Sequence, residues 1–339
     1  MKVLVWHGPR IMTVEEREVP EPGPGEALLR VRAAGICGSE IEGYLGHNSL
    51  RVPPLIMGHE FAGEVVALGS SDITVPRIGQ QVTVNPLISC GECTFCRAGL
   101  AHVCPQRKLI GAHRPGAFAD YVVVPLQAII PLPEGVDPTL GALTEPFAVA
   151  IHGVGLGQLS SSDGVVVWGT GTIGLLTICA ARLAQPARII AVDTNAARLE
   201  AARLAGATTA LDARDGDIIS KVRGLVADLP HIVVFDAVGR DVTRQAAAAV
   251  AGPAGRVILL GLHDRDTTFD VAALIRSEIA LQGSYAYTMD EVRRAVAWLE
   301  AGHVPTDLWV DVRALSDGPD AFTELVDRPG AATKIILVP

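Results

Sequence analysis

Residues 165–193 read VVVWGTGTIGLLTICAARLAQPARIIAVD. The apolar β-formers at 165–168 read as a strand buried on both faces. Gly169, Gly171 and Gly174 follow at G-x-G-x-x-G spacing, residues 173–184 read as a helix, and residues 188–192 read as a second strand running into Asp193. Strand, glycine turn, helix, strand and acid, in that order, make a dinucleotide-binding unit. Gly169 permits the tight turn, Gly171 lets the backbone approach a pyrophosphate, and Gly174 lets helix and strand pack closely. The helix start at Thr172 and Ile173 presents unpaired N–H groups and a positive dipole end to phosphate. Asp193 is expected to accept hydrogen bonds from the ribose hydroxyls and to repel a 2′-phosphate, favouring NAD over NADP. Arg198 is the nearby cation that complicates this choice.

A competing reading starts from residues 164–181, an uncharged window long enough to suggest a membrane helix. Three glycines in six positions fit such a helix poorly, and Arg182 and Asp193 bound strand-sized pieces instead. Outward from this unit the alternation continues. Strands are expected at 232–236, 256–260 and 279–283, with alanine-rich helices at 195–204 and 242–250. That pattern predicts a parallel sheet covered on both faces. On the N-terminal side the texture is β-rich, with strands expected at 26–33 and 121–124. After residue 284 come a helix at 289–301 and a final strand at 333–338.

A chain of 339 residues is long enough for two domains with sizeable cores, and 49% apolar with 19% charged residues excludes a disordered chain. A net charge of −9 without a basic run argues against nucleic acid and anionic membrane as partners. The opening MKVLVWHGPR reads as a strand and turn rather than a signal peptide, so a cytoplasmic location is expected.

Four of the six cysteines crowd into Cys90-x2-Cys93-x2-Cys96-x7-Cys104. In a chain with no secretion signal such crowding points to metal rather than disulfides. Four thiolates close a tetrahedral zinc and leave no open position, which describes a structural site; a reduced or redox-active cluster is the alternative. Cys179 falls inside the helix after the glycine turn and reads as a small core residue. Two further motifs supply thiolate, imidazole and carboxylate: GICGSE at 35–40, with Cys37, and GHEFAGEV at 58–65, with His59 and Glu60. Taken singly, Cys37 could be core and His59-Glu60 a solvated corner. Glu145 stands in an apolar stretch at the start of an expected helix, where a carboxylate suits the dipole.

Together GICGSE, GHEFAGEV, the four-cysteine lobe, GAFADY (116–121), TEPFAVAIHG (144–153), GTGTIG with Asp193, and FDAVG (235–239) resemble the zinc-dependent medium-chain alcohol dehydrogenases. The likeness runs through the whole chain in the family's order. It is strongest to the polyol, sorbitol dehydrogenase-like branch, because Glu145-Pro146 stands where classical alcohol dehydrogenases place a third ligand cysteine. The resemblance implies an α/β protein: a GroES-like β-rich catalytic domain from 1–150 and 285–339, with a structural zinc lobe at 88–106, and an inserted Rossmann doubly wound parallel sheet at 151–284. An active site in the cleft between the two is implied as well.

The likeness also implies roles. Cys37, His59 and Glu60 match the catalytic zinc motif, Glu145 a position that binds zinc directly or through water, and Cys90, Cys93, Cys96 and Cys104 the structural zinc lobe. Ser39 matches the hydroxyl that starts a proton relay. Gly169, Gly171, Gly174 and Asp193 match the NAD fingerprint. Two zinc ions per chain, NAD, an alcohol substrate and a homotetramer or homodimer are therefore expected. Three departures stand out. Glu40 replaces the aspartate that usually supports the ligand histidine, Glu42 replaces the histidine that often ends the relay, with His47 as a substitute, and LQGSYAYT (281–288) replaces a segment of the threonine dehydrogenases. The expected reaction is hydride transfer from a secondary alcohol, a polyol, sugar alcohol or its phosphate, to NAD. A threonine, amino-alcohol or aminocyclitol dehydrogenase is the alternative, and a non-catalytic NAD-binding sensor is the reading from another class. Tyr44, His47 and Phe118 are the candidates for the substrate pocket.

Overall fold

The computed structural model describes residues 1–69, 76–328, 330 and 332–339. The chain divides into two compact units. One comprises Met1–Glu145, Thr288–Gly302 and Val310–Pro339; the other comprises Pro146–Tyr287 and His303–Trp309. The inner unit thus includes the short segment His303–Trp309, from a range expected on the other side of the boundary.

In the inner unit six strands form one parallel sheet in the spatial order Thr209–Asp212, Arg188–Asp193, Gly164–Trp168, Ile232–Asp236, Arg256–Leu259, Ala280–Gly283. This is the doubly wound 3-2-1-4-5-6 arrangement. The two strands on either side of the point where the order reverses, Gly164–Trp168 and Ile232–Asp236, are buried at every position. That burial explains why they read as unbroken apolar runs rather than alternating ones. The edge strand Thr209–Asp212, sequence TALD, is only half-buried and carried too weak a pattern to be expected. No helix among the described residues is long and apolar enough to cross a membrane. The uncharged window is a strand, a turn and the helix Thr172–Arg182.

The other unit is built on the strand Glu26–Gly35, which pairs antiparallel with Glu60–Leu68, Tyr121–Pro125 and Lys334–Val338. The last of these brings the C-terminal strand to the centre of a sheet begun by the N-terminal third of the chain. Phe61, Phe118, Phe322, Leu29 and Val82 are fully buried in its core. At the end of the central strand, Gly35 lies opposite Glu60 on one side and Ile336 on the other. The ends of three strands therefore converge beside Cys37.

Candidate active site

Cys37 caps the short helix Gly38–Tyr44, immediately after the central strand, and His59 precedes the strand that begins at Glu60. Sheet pairing makes these distant segments neighbours. One donor atom each from Cys37, His59 and Glu60 lies within 4.8 Å of the others, a span that a single ion can bridge. Glu145 is buried in the first turn of the helix Thr144–Gly157 but does not belong to this group.

The three donors are held from behind by charged groups. Glu40, fully buried, accepts from His59 Nδ1 at 2.7 Å, from the Gly58 N–H at 2.8 Å and, through its other oxygen, from the Cys37 N–H at 3.0 Å. Bonded at Nδ1, the imidazole keeps Nε2 for a metal, the arrangement that fixes a ligand histidine's tautomer and ring direction. Glutamate in place of aspartate therefore still supports the histidine, and the extra methylene lets its second oxygen cap the helix that carries Cys37. Burial would raise this carboxyl, but His59 and, more weakly, Arg51 hold it below the usual range.

Glu60 has a partner that sequence reasoning missed. Lys334, 2% exposed, donates to Glu60 Oε2 and to the Ile36 carbonyl, the latter at 2.9 Å. Burial alone would push the amine down, but the facing Glu60 carboxylate, above all, holds it above its ordinary value, so it stays charged. Gly35 makes room for the pair: a Cβ there would lie 2.5 Å from Glu60 Oε2 and 3.3 Å from the lysine stem. The signal in the sequence was a lysine opening an otherwise apolar terminal strand, KIILV. Ser39 Oγ sits 3.5 Å from Cys37 Sγ and accepts from Arg51 Nη2 at 3.2 Å. Glu42 and His47 bond each other at 3.2 Å, with the histidine exposed. Tyr44 and Phe118 are core residues that pack on Phe322, because their rings complete the apolar interior; neither is free to line a substrate pocket.

The four-cysteine lobe is a second cluster. Its sulfurs are separated by 3.5 Å (Cys93–Cys96 and Cys90–Cys104) and 3.8 Å (Cys90–Cys96 and Cys93–Cys104). Four thiolates about 2.3 Å from a tetrahedral zinc stand roughly 3.8 Å apart, so the donor set fits that ion and not a pair of disulfides.

In the inner unit the glycine turn follows the first strand. Gly169 adopts φ +87°, a Cβ on Gly174 would overlap the Gly169 carbonyl, and a Cβ on Gly171 would meet nothing within 4 Å. Gly169 and Gly174 thus serve the turn and the helix–strand contact, while Gly171 faces open space of the kind a pyrophosphate needs. Asp193 does more than expected. Its Oδ2 accepts from the Thr170 N–H at 2.7 Å and the Thr170 hydroxyl at 3.1 Å, and its Oδ1 accepts from the Asn195 N–H at 2.9 Å. The acid braces the turn as well as ending the strand. Arg198 lies in the first turn of the helix Ala196–Ala205, with its Nε buried and unpartnered.

Comparison with known proteins shows the family. The alcohol dehydrogenase GroES-like domain matches residues 23–134, and the zinc-binding dehydrogenase domain matches residues 172–301. L-threonine 3-dehydrogenase of Pyrococcus horikoshii is 34% identical over 81% of this chain and 78% of its own length. The chain belongs to the zinc-dependent medium-chain alcohol dehydrogenase family. Within the family it is similar to the sorbitol dehydrogenase of Bacillus subtilis (strain 168), 29% identical over 100% of this chain and 97% of that protein. A zinc-binding dehydrogenase from Sinorhizobium meliloti 1021, solved bound to NADP, superposes with a TM-score of 0.93 at 31% identity, covering 100% of this chain and 99% of the other. This dehydrogenase is thus an α/β oxidoreductase of the polyol branch, with a GroES-like domain and a Rossmann-type sheet.

Proposed function

We propose that the dehydrogenase oxidises a secondary alcohol of a polyol, sugar alcohol or sugar-alcohol phosphate, with NAD as the preferred acceptor. The carbon gives a hydride to the nicotinamide and its hydroxyl gives a proton to solvent, so the products are a ketone, NADH and H⁺. The observation that carries this reading is the mutual reach of Cys37, His59 and Glu60. Three protein donors leave a fourth position of a tetrahedral ion for substrate. Zinc held by Cys37 Sγ, His59 Nε2 and a Glu60 oxygen would polarise the alcohol oxygen and lower its pKa.

The protein's own groups supply the rest. Glu40 keeps the imidazole oriented. Lys334 offsets the charge of Glu60 and so leaves the centre less negative than its two anionic ligands alone would make it. Ser39 offers a hydroxyl beside the ligand thiol, suited to hydrogen-bond the substrate oxygen as its proton leaves. Glu145, outside the three-donor group, is assigned the role through a bridging water. The four-cysteine lobe would hold a second zinc with no open position.

The test is absorbance at 340 nm with NAD and a panel of sugar alcohols, sugar phosphates, cyclitols and L-threonine, paired with metal analysis. Turnover with polyols and two zinc ions per chain are expected. L-Threonine as the best substrate would replace the polyol assignment, for which the threonine dehydrogenase relative is the reason. A zinc-loaded protein that binds NADH and turns over no alcohol is the outcome expected of a sensor. Cofactor choice is tested by Asp193→Ser, which should relax discrimination against NADP and also weaken NAD binding, because Thr170 loses its brace. Unchanged discrimination would place the acid away from the ribose.

A further inference from the structure

Arg51 is 4% exposed in a chain of net charge −9, yet among the described residues its guanidinium makes no ion pair within 4.0 Å. Its Nη2 donates to the Ser39 hydroxyl at 3.2 Å, and its Nε is buried without a partner. The nearby Glu40 carboxylate is committed to His59, Gly58 and Cys37. Glu40 therefore balances the cation through space, without a direct ion pair, and a buried guanidinium with an unfilled donor is costly, so its placement calls for a reason.

The surroundings are built to hold it there. Gly43, on the helix Gly38–Tyr44, leaves a notch for the arginine stem: a Cβ would lie 2.7 Å from Arg51 Cδ. The Arg51 N–H donates to the Asn48 carbonyl at 3.3 Å, and the Asn48 side chain donates to the Ser39 carbonyl at 3.5 Å. The loop at 48–51 thus grips Ser39 through both its hydroxyl and its main chain.

We propose that Arg51 is a positioning residue that makes the Ser39 hydroxyl a fixed, polarised donor toward the substrate oxygen. The inference rests on the reading that Cys37, His59 and Glu60 receive an alcohol. A hydroxyl has one hydrogen and two acceptor lone pairs, whereas a guanidinium only donates and stays charged. With Arg51 on one lone pair, the single hydrogen of Ser39 must point elsewhere. The acceptor within its reach is Cys37 Sγ at 3.5 Å, one of the donors of the centre that would receive the substrate oxygen. A cation on the hydroxyl oxygen strengthens that donation. Arg51 itself cannot accept a proton, so it acts through Ser39 and is no link in a relay.

The experiment is a double-mutant cycle on the zinc-loaded holoenzyme, using Arg51→Met, Arg51→Lys and Ser39→Ala, with the best alcohol from the substrate panel and saturating NAD. Arg51→Met should lower kcat about 10- to 100-fold, the size of a charge-assisted hydrogen bond. KM, NADH affinity and a zinc content of two per chain should hold. Arg51→Lys should recover part of the loss, and in the Ser39→Ala background Arg51→Met should cost nothing further. An equal loss in both backgrounds, a loss of zinc or of NADH binding, or an unchanged kcat overturns the proposal. If Arg51→Met does not fold, Arg51→Lys in the two backgrounds supplies the cycle, and the same non-additivity decides. Wild-type protein inactive on every alcohol defeats the alcohol reading itself, whereas turnover indifferent to Arg51 defeats this inference alone.

Discussion

The two candidate metal clusters of this dehydrogenase are built by opposite means. The lobe takes four identical ligands from residues 90–104, in a turn-rich segment where one short helix, Thr94–Arg97, and one 3-10 turn set the spacing. Its donors are mostly half-buried and need little else around them. The Cys37–His59–Glu60 cluster takes three different ligands from two strand ends. A third strand then supplies Lys334, a buried glutamate orients the histidine, and a glycine leaves room for the pair. A closed site can be specified by local spacing, because the ion itself completes it. A site with an open position must be held by the fold whether or not the ion is there.

That contrast can be broken by experiment. The largest effect is expected from Cys37→Ala. Turnover should fall by about 10³-fold or more, the scale of losing the group that polarises the substrate, while one zinc per chain remains and NADH still binds. Retained activity in protein with a single zinc would erase the distinction between the two clusters. Cys93→Ala should act the other way, since structural zinc contributes folding free energy directly. Thermal unfolding should drop sharply, with kcat per folded molecule close to wild type; a kcat loss without a stability loss would contradict the structural role.

Lys334→Met sharpens the comparison further. Removing one partner of a buried pair costs about 3–5 kcal/mol, because the other charge is left unpaired. In zinc-stripped protein Glu60 would carry that penalty. In zinc-loaded protein the metal takes over much of the compensation, so urea unfolding should show a smaller loss there. Equal losses in both forms would mean that Glu60 does not face the metal. The smallest effect is expected from Glu40→Gln, which keeps the shape but weakens the charge behind His59. Zinc affinity at that site should fall about 10- to 100-fold, read by competition with a chelator, with the lobe unaffected.

The sequence carried much of this, and each failure has its own physical reason. The glycine fingerprint was legible because its strands are buried on both faces and its acid closes the second strand. The edge strand Thr209–Asp212 was missed because four half-buried residues have no periodicity to read. The helix 173–184 and the strand 256–260 were placed to within two residues, their ends being Thr172–Arg182 and Arg256–Leu259. Tyr44 and Phe118 were misjudged because nearness in sequence to ligand motifs says nothing about which way a ring turns; both face the core.

By itself, the sequence determined which donors this dehydrogenase has and the order in which the fold uses them, since ligand spacing, glycine spacing and apolar runs are properties of neighbours along the chain. Only the tertiary structure decided that Lys334 faces Glu60 across 274 positions, that Glu40 reaches both His59 and Cys37, and that Arg51 closes on Ser39. Those contacts depend on strand register and on buried charges finding one another, and a register exists only once the sheet has formed.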